Sequence, residues 1–331
     1  MSTFRALLVE KQDDGSFTRG VVERSVDDLP KGELLVEVAY SSLNYKDGLS
    51  ASGNPGVSRN FPHTPGIDVA GVVLESSVDA FAAGDEIIAI GFDLGMNTPG
   101  GFGQRVRIPA AWALARPEAL SLKEAMLLGT AGFTAALSIA KLEAAGMCTD
   151  GGPVLVTGAT GGVGSVAVAL LSQLGYEVAA LTGKASQHEF LKGLGATTVI
   201  DRSELSEANS RPLLKEAWGG VVDTVGGAIL FNAVKALRYG CSLAACGLVS
   251  SPDIPASVFP FILRHVNLLG IDSVELPLTQ KREVWSRLAG EWKIDGLDAL
   301  EHPLTLDTIS DAIDTILAGQ MVGRGVLDLN A

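Results

Sequence analysis

The chain has 331 residues, enough for two domains, and 47% of them are apolar, enough for a large core. A formal charge of −13 argues against non-specific binding to nucleic acid or to anionic membrane surfaces, while leaving room for a local basic pocket for a phosphorylated ligand. Three cysteines (Cys148, Cys241 and Cys246) are too few and wrongly spaced for a disulfide framework or a structural zinc site; Cys241 and Cys246 lie in the apolar stretch 241–249 and read as buried free thiols rather than a redox pair. No long apolar stretch follows the charged N-terminal residues, and charges, Gly and Thr interrupt every apolar run. Neither a signal peptide nor a membrane span is expected, and a reducing cytoplasm fits the composition.

In chain order, apolar runs or alternations at 4–10, 32–40, 68–76, 86–90 and 104–108 predict short strands. Pro62, Pro65, Gly66, Gly84, Gly91 and Pro99-Gly100-Gly101 punctuate them, which suggests a β-rich, barrel-like domain. Ser121 with Glu124 three residues later is a capping box. The helix it opens is broken near 129–132 and runs on to Gly146. From Pro153 onward, strands beginning at Val154 and at 177–182, 197–200, 220–225 and 242–247 alternate with helices, the rhythm of a parallel doubly wound sheet. The remainder predicts a strand at 266–274, helices at 281–293 and 306–318, and a last strand at 325–329 that closes back on the first domain.

The most informative stretch runs from Pro153 to Gly164, P-V-L-V-T-G-A-T-G-G-V-G. A short apolar strand leads into a glycine-rich turn, and an apolar helix, 165–174, leads out of it to Gly175. That context lets backbone N–H groups approach a pyrophosphate at the helix N-terminus. Aligned on Gly161 and Gly164, the first glycine of the G-x-G-x-x-G fingerprint is Ala159. An NAD site carries a carboxylate about 20 residues past the glycines. Here the next strand closes on Thr182-Gly183-Lys184, with no carboxylate between Ala179 and Gln187. A hydroxyl, a glycine and a cation suit a 2′-phosphate, so NADP(H) is the expected dinucleotide.

A β-rich domain, a central dinucleotide-binding sheet and a short C-terminal return resemble the medium-chain dehydrogenase/reductase superfamily. The Gly161-Gly162-Val163-Gly164 turn resembles that of its quinone oxidoreductase branch. Leu43-Asn44-Tyr45-Lys46-Asp47-Gly48-Leu49, Phe61-Pro62-His63-Thr64-Pro65-Gly66-Ile67-Asp68, Gly129-Thr130-Ala131-Gly132-Phe133-Thr134-Ala135, Pro260-Phe261-Ile262-Leu263-Arg264 and Leu269-Gly270-Ile271-Asp272-Ser273-Val274 are similar to the NADPH-dependent acrylyl-CoA reductase subfamily. The resemblance implies an α/β protein: a Rossmann doubly wound parallel sheet plus a β-rich GroES-like, partly open barrel. The expected partition is 1–122 catalytic domain, 123–262 NADP-binding domain, and 263–331 dimer strand and C-terminal return.

The zinc enzymes of this superfamily carry a cysteine where Asn44 stands and Gly-His-Glu where Gly66-Ile67-Asp68 stands. No metal is therefore expected, since a catalytic zinc needs three protein ligands. The implied chemistry is NADPH-dependent reduction of the C=C bond of acrylyl-CoA, with hydride to the β-carbon and a proton to the α-carbon. An NADPH:quinone reductase and a non-catalytic NADPH-binding protein are the competing readings. Asn44, Tyr45 and Asp47 are the candidate catalytic residues: Tyr45 as donor, Asn44 orienting nicotinamide or carbonyl, Asp47 fixing Tyr45 or a water. For Asn44 and Asp47, a purely structural turn is the competing reading. The resemblance places Tyr45, Thr160, Gly161, Gly162, Val163, Gly164, Thr182, Gly183, Lys184, Arg202, Leu248, Ile262, Ser273 and Arg324 against the cofactor. Arg59 and Arg264, with Arg105 and Lys46 behind them, are candidates for the CoA phosphates. A homodimer pairing through the strand at 266–274 is expected.

Overall fold

A computed structural model describes residues 2–207 and 209–331. The chain packs into two compact units, Met1–Thr130 with Val274–Ala331, and Ala131–Ser273.

The first unit begins with the antiparallel hairpin β1 (Thr3–Lys11) and β2 (Phe17–Ser25). It continues through β3 (Leu34–Leu43), α1 (Tyr45–Ala51), β4 (Asp68–Ser76), β5 (Glu86–Ile90), β6 (Arg105–Ile108) and β7 (Ala113–Ala115). The helix α2 (Leu122–Ala144) carries the chain into the second unit. There follow β8 (Val154–Thr157), α3 (Gly162–Gln173), β9 (Val178–Thr182), α4 (His188–Gly193), β10 (Thr198–Asp201), α5 (Ser203–Ser206), β11 (Gly220–Asp223), α6 (Gly227–Lys235), β12 (Ser242–Ala245), α7 (Phe259–Arg264) and β13 (Asn267–Gly270). The chain returns to the first unit with α8 (Leu278–Ala289), β14 (Glu301–Thr305), α9 (Ile309–Leu317) and β15 (Arg324–Asp328).

The sheet of the first unit is mixed, in the order β14-β15-β3-β4-β5-β7 with β6 also on β3. Its pairs are antiparallel except β14 with β15. The C-terminal return is part of this core: Leu304, Leu306, Ile309, Ile313 and Leu327 pack with Leu34, Val36, Val69, Ile87 and Phe102. The expected closure onto the first domain is thus observed, with β14 as an additional strand. Four-residue spacing of Ile309 and Ile313 aligns one face of α9 with that core.

The second unit is a six-stranded sheet in the order β10-β9-β8-β11-β12-β13, with every pair parallel. β8, β9 and β11 are buried along their whole length, as a sheet covered on both faces requires, whereas the outer strands β10 and β13 are partly or fully exposed. The strand expected at 266–274 is shorter. It joins this sheet beside β12 and so belongs to the second unit, not to a separate C-terminal part. Packing likewise moves the first boundary from 122 to Thr130, inside α2.

The capping box of α2 is present: Ser121 N donates to Glu124 Oε2 (2.7 Å) and Glu124 N to Ser121 Oγ (3.1 Å). The interruption near 129–132 is a kink at Gly129, whose φ is +50°. α2 is long and apolar enough to cross a membrane, but 83% of its apolar window is buried in the fold, which makes it a core helix. A side chain at Gly129 would carry a left-handed backbone penalty. Its Cβ would also lie 2.4 Å from Ser42 Oγ and 2.5 Å from Asp68 Oδ2, both buried and hydrogen-bonded. Gly129→Ala is therefore expected to destabilise the protein by about 2–4 kcal/mol in urea unfolding. A loss below about 0.5 kcal/mol would contradict this packing.

Candidate functional site

In the first unit the candidate residues stand at the corner between β3 and α1. Asn44 is extended (φ −120°, ψ 159°) and Tyr45 is the first helical residue. Asp47, fully buried, closes the corner from the third helical position. Its Oδ2 accepts from Asn44 N (2.8 Å), and its Oδ1 accepts from Ile67 N (2.8 Å) and Gly66 N (3.2 Å). These oxygens face backbone N–H groups, not the Tyr45 hydroxyl. Asp47 welds the helix start to the 66–67 turn, which is the structural reading rather than the catalytic one.

The Asn44 side chain is also turned inward. Its Nδ2 donates to Asp68 Oδ2 (2.8 Å) and Ser42 O (3.3 Å), while its Oδ1 accepts from Arg324 Nη1 (3.3 Å). Both amide hydrogens have protein partners, so the expected role in orienting nicotinamide or carbonyl is not what this geometry provides. Arg324, expected at the cofactor, lies beneath the corner at 1% exposure. Its Nε donates to Leu127 O (2.9 Å) and its Nη2 to Ser42 Oγ (2.9 Å). Burial pulls its pKa down, and Asp68 and Asp47 oppose that shift. Tyr45 remains half-buried, with no hydrogen-bond partner for its hydroxyl among the described residues. It is the member of the expected trio that can serve a ligand.

Sequence reasoning assigned no role to Asp68, Ser42 or Thr130, although Asp68 and Thr130 lie inside quoted motifs. Asp68 is fully buried and accepts from Ser42 Oγ, Asn44 Nδ2, Thr130 N (2.9 Å) and Thr130 Oγ1 (2.5 Å). Among the described residues no group of three His, Cys, Asp or Glu is arranged for a metal. Asn44 and Ile67, at the zinc-ligand positions, are not zinc ligands.

In the second unit the glycine turn joins β8 to α3. The tight-turn glycine is Gly158 (φ +59°), one residue before the position that the fingerprint alignment assigned to Ala159. A Cβ on Gly158 would meet Thr224 Oγ1 at 2.4 Å, and one on Gly164 would meet Gly158 O at 2.3 Å, so both are close-approach positions. Gly161 caps α3, leaving the N–H groups of Gly162, Val163 and Gly164 at the start of a 12-residue helix. Beneath the turn, buried Asp223 accepts from Thr157 Oγ1 (2.7 Å) and Gly226 N (2.8 Å), and burial raises its pKa. Cys246 donates its Sγ–H to Asp223 O, and burial with the Asp223 charge pushes the thiol up to about 12, making it unreactive.

The ends of β9 and β10 bring the expected phosphate residues together. Thr182 Oγ1 accepts from Lys184 N (3.1 Å) and lies 3.4 Å from Thr160 Oγ1. The Arg202 guanidinium lies over Gly183, with its Nε 2.6 Å from where a Cβ would stand, and Arg202 N donates to Thr182 O (2.9 Å). Asp201 accepts from Ser203 N (2.8 Å) and forms no ion pair with Arg202 among the described residues. Partial burial lowers the Lys184 pKa. Leu248 and Ile262 are 60% and 69% exposed, while Ser273 is buried and accepts from Thr134 Oγ1 (3.0 Å). Of the two CoA candidates, Arg59 is exposed, with its Nε on Pro55 O (3.0 Å). Arg264 is structural: Nη1 bonds Lys235 O (2.6 Å) and Leu237 O (3.3 Å), Nη2 bonds Leu214 O (2.5 Å), and Nε pairs with Glu216 (3.3 Å). Arg105 pairs with Glu37 (2.9 Å).

Residues 30–118 match the alcohol dehydrogenase GroES-like domain, and residues 162–290 match the zinc-binding dehydrogenase family. A GroES-like unit with a parallel dinucleotide-type sheet defines a dehydrogenase/reductase. The chain is 46% identical over 329 residues to the acrylyl-CoA reductase AcuI of Ruegeria pomeroyi, covering 99% of this chain and 100% of that one. It also matches the structure of the yhdH oxidoreductase of Salmonella enterica in complex with NADP (43% identity, TM-score 0.95, 98% and 99% coverage). A third match is the structure of Bacillus subtilis yhfP with NAD bound (42% identity, TM-score 0.96, 99% and 100% coverage). The chain belongs to the zinc-independent medium-chain dehydrogenase/reductases, in the branch that unites quinone oxidoreductases and acrylyl-CoA reductases, and is an oxidoreductase.

Desolvation, reinforced by the nearby Asp68 charge, raises the Asp47 carboxyl from its usual range to about 7. The native fold therefore holds this proton more tightly than the unfolded chain does. The Asp47 contribution to stability is complete below the unfolded value near 3.8 and is lost as pH rises through about 7. Urea unfolding from pH 5 to 8 is expected to show the wild type losing ground to Asp47→Asn, by up to about 1.4 kcal/mol per pH unit. A pH-independent difference would mean that the group titrates normally.

Proposed function

We propose that this protein reduces the C=C bond of acrylyl-CoA to propionyl-CoA with NADPH. The carrying observation is the end-to-end similarity to the Ruegeria acrylyl-CoA reductase, 46% over 329 residues. NADPH, when bound, supplies a hydride. It adds to the β-carbon, the alkene pair moves into an enolate whose charge rests on the thioester oxygen, and a proton joins the α-carbon. An alkene conjugated to a thioester carries its own electron sink, which suits a corner that offers a phenol and no metal-ligand set. Tyr45 donates to the developing enolate. Backbone N–H groups of Gly162, Val163 and Gly164 hold the pyrophosphate. Thr182, Gly183, Lys184 and Arg202 receive the 2′-phosphate, and Leu248, Ile262 and Ser273 line the nicotinamide side. Arg59 and Lys46 are the remaining cations for the CoA phosphates.

NADPH consumption with acrylyl-CoA, a longer 2-enoyl-CoA and a small quinone, each repeated with NADH, tests this reading. Turnover on acrylyl-CoA with NADPH is expected; turnover on quinone alone would move the function to quinone reduction. Tyr45→Phe should lower kcat by roughly 10- to 100-fold with little change in NADPH binding. Lys184→Ala with Arg202→Ala should cut kcat/KM for NADPH by about 100-fold and leave that for NADH nearly unchanged. Equal losses with both cofactors would sink the 2′-phosphate assignment.

The same reading includes a homodimer. Val258, Phe259 and Leu263 are each 46–65% exposed on or beside α7, the helix that leads into the edge strand β13. Exposed apolar residues on α7 and an unpaired edge at β13 support pairing with a second copy. Light scattering should give twice the monomer mass, and Leu263→Asp with Leu268→Lys should give a monomer. A wild-type monomer at micromolar concentration would exclude the dimer.

A further inference from the structure

We propose that Asp68 is a positioning residue of the reduction: through the Asn44 amide it holds Tyr45, the first residue of α1, where the phenol meets the substrate. This rests on the reductase reading above.

Asp68 is the first residue of β4, and none of it reaches solvent. A carboxylate at such a place is a poor way to stabilise a strand. Its desolvation is offset only by a full set of donors, and an apolar residue of similar volume often does as well. Yet donors converge on it from two other segments, and a counter-charge from a third. Ser42 Oγ and Asn44 Nδ2 come from the end of β3, Thr130 N and Oγ1 from the break in α2, and the Arg324 guanidinium, 4.0 Å away, from β15. The bare Cα of Gly129 leaves the space in which they meet. Asn44 is the link to the chemistry. Its amide nitrogen is bonded to Asp68 and to Ser42 O, its oxygen to Arg324, and the next residue is Tyr45. With Asp68 Oδ2 accepting, the Asn44 amide has one orientation, and the extended backbone that launches α1 is set with it. Loss of the carboxylate releases that amide and lets the start of α1 relax, and displacements on the order of 1 Å at a reacting group cost roughly 100-fold.

The test compares wild type, Asp68→Asn, and the swap that combines Asp68→Asn with Asn44→Asp. The swap restores a donor–acceptor pair of opposite direction and keeps the net charge. kcat and both KM values are measured with NADPH and acrylyl-CoA. The Kd for NADPH without substrate and the Tm of the cofactor-free chain are measured alongside. Asp68→Asn is expected to lower kcat roughly 30-fold or more while the NADPH Kd stays within about threefold, and the swap to recover about tenfold of the loss. A kcat within threefold of wild type in Asp68→Asn would overturn the inference. So would a swap that restores Tm without restoring kcat. Should Asp68→Asn not fold, Thr130→Val and Ser42→Ala each remove one donor from the same carboxylate. Each should lower kcat about three- to tenfold at nearly constant Tm, and unchanged kcat in both would count against the proposal. Wild-type turnover with a flat variant series overturns this inference alone. A wild type idle on acrylyl-CoA overturns the reductase reading and this inference with it.

Discussion

A carboxylate sealed from water must find its donors inside the protein, and Asp68 finds four on two separate chain segments, with the Arg324 guanidinium behind them. Much of the first unit follows from that requirement. β3 must end beside β4, α2 must break at a residue without a side chain, and the C-terminal return must bring Arg324 back beneath the corner. Arg324 serves twice, since its Nε also takes the carbonyl of Leu127 ahead of the kink. With Asp47 added, two carboxylates and one guanidinium share a buried space, and the raised pKa of Asp47 follows first from desolvation and then from the Asp68 charge.

The second unit rests on a different constraint, the close approach of backbone to backbone. Gly158 and Gly164 each stand where a Cβ would strike the neighbouring chain. The result is a helix whose first N–H groups are open at the carboxyl end of β8, where the strand order turns from β9 on one side to β11 on the other. Thr157 and Asp223 brace the two strands at that point, and Lys184 and Arg202 are delivered by the next two strand ends. The first unit holds a phenol at a hydrogen-bonded corner, and the second carries the first N–H groups of α3 and the cations of Lys184 and Arg202 at neighbouring strand ends.

What could be read from residues alone divides along the range of the interactions. The parallel sheet, the turn context, the α2 capping box and the grouping of Thr182, Gly183 and Lys184 rest on neighbours in sequence, and each is present. β2, β7 and β14 were not anticipated, because short or exposed strands carry little alternation. The fingerprint alignment pointed to Ala159 as the first position, whereas backbone conformation makes Gly158 the turn residue. Residue type marks Asn44 and Asp47 as polar side chains beside Tyr45, but it does not say which way they face. An amide or carboxylate at a corner can face solvent or core, and only the partners Asp68, Arg324, Gly66 and Ile67 decide which.

By itself the sequence determined the class of each unit, the dinucleotide-type turn, the cation at the end of β9 and the absence of zinc-ligand side chains at Asn44 and Ile67, because these depend on residue type and local spacing. Only the tertiary structure decided that Arg264 and Arg324 serve the fold's own carbonyls, amides and hydroxyls, that β13 completes the parallel sheet, and that Asp68 is the centre of the corner. The physical reason is that a charged side chain's partner is chosen by proximity in space. Arg324 and Asn44 are 280 residues apart in the chain and 3.3 Å apart in the fold.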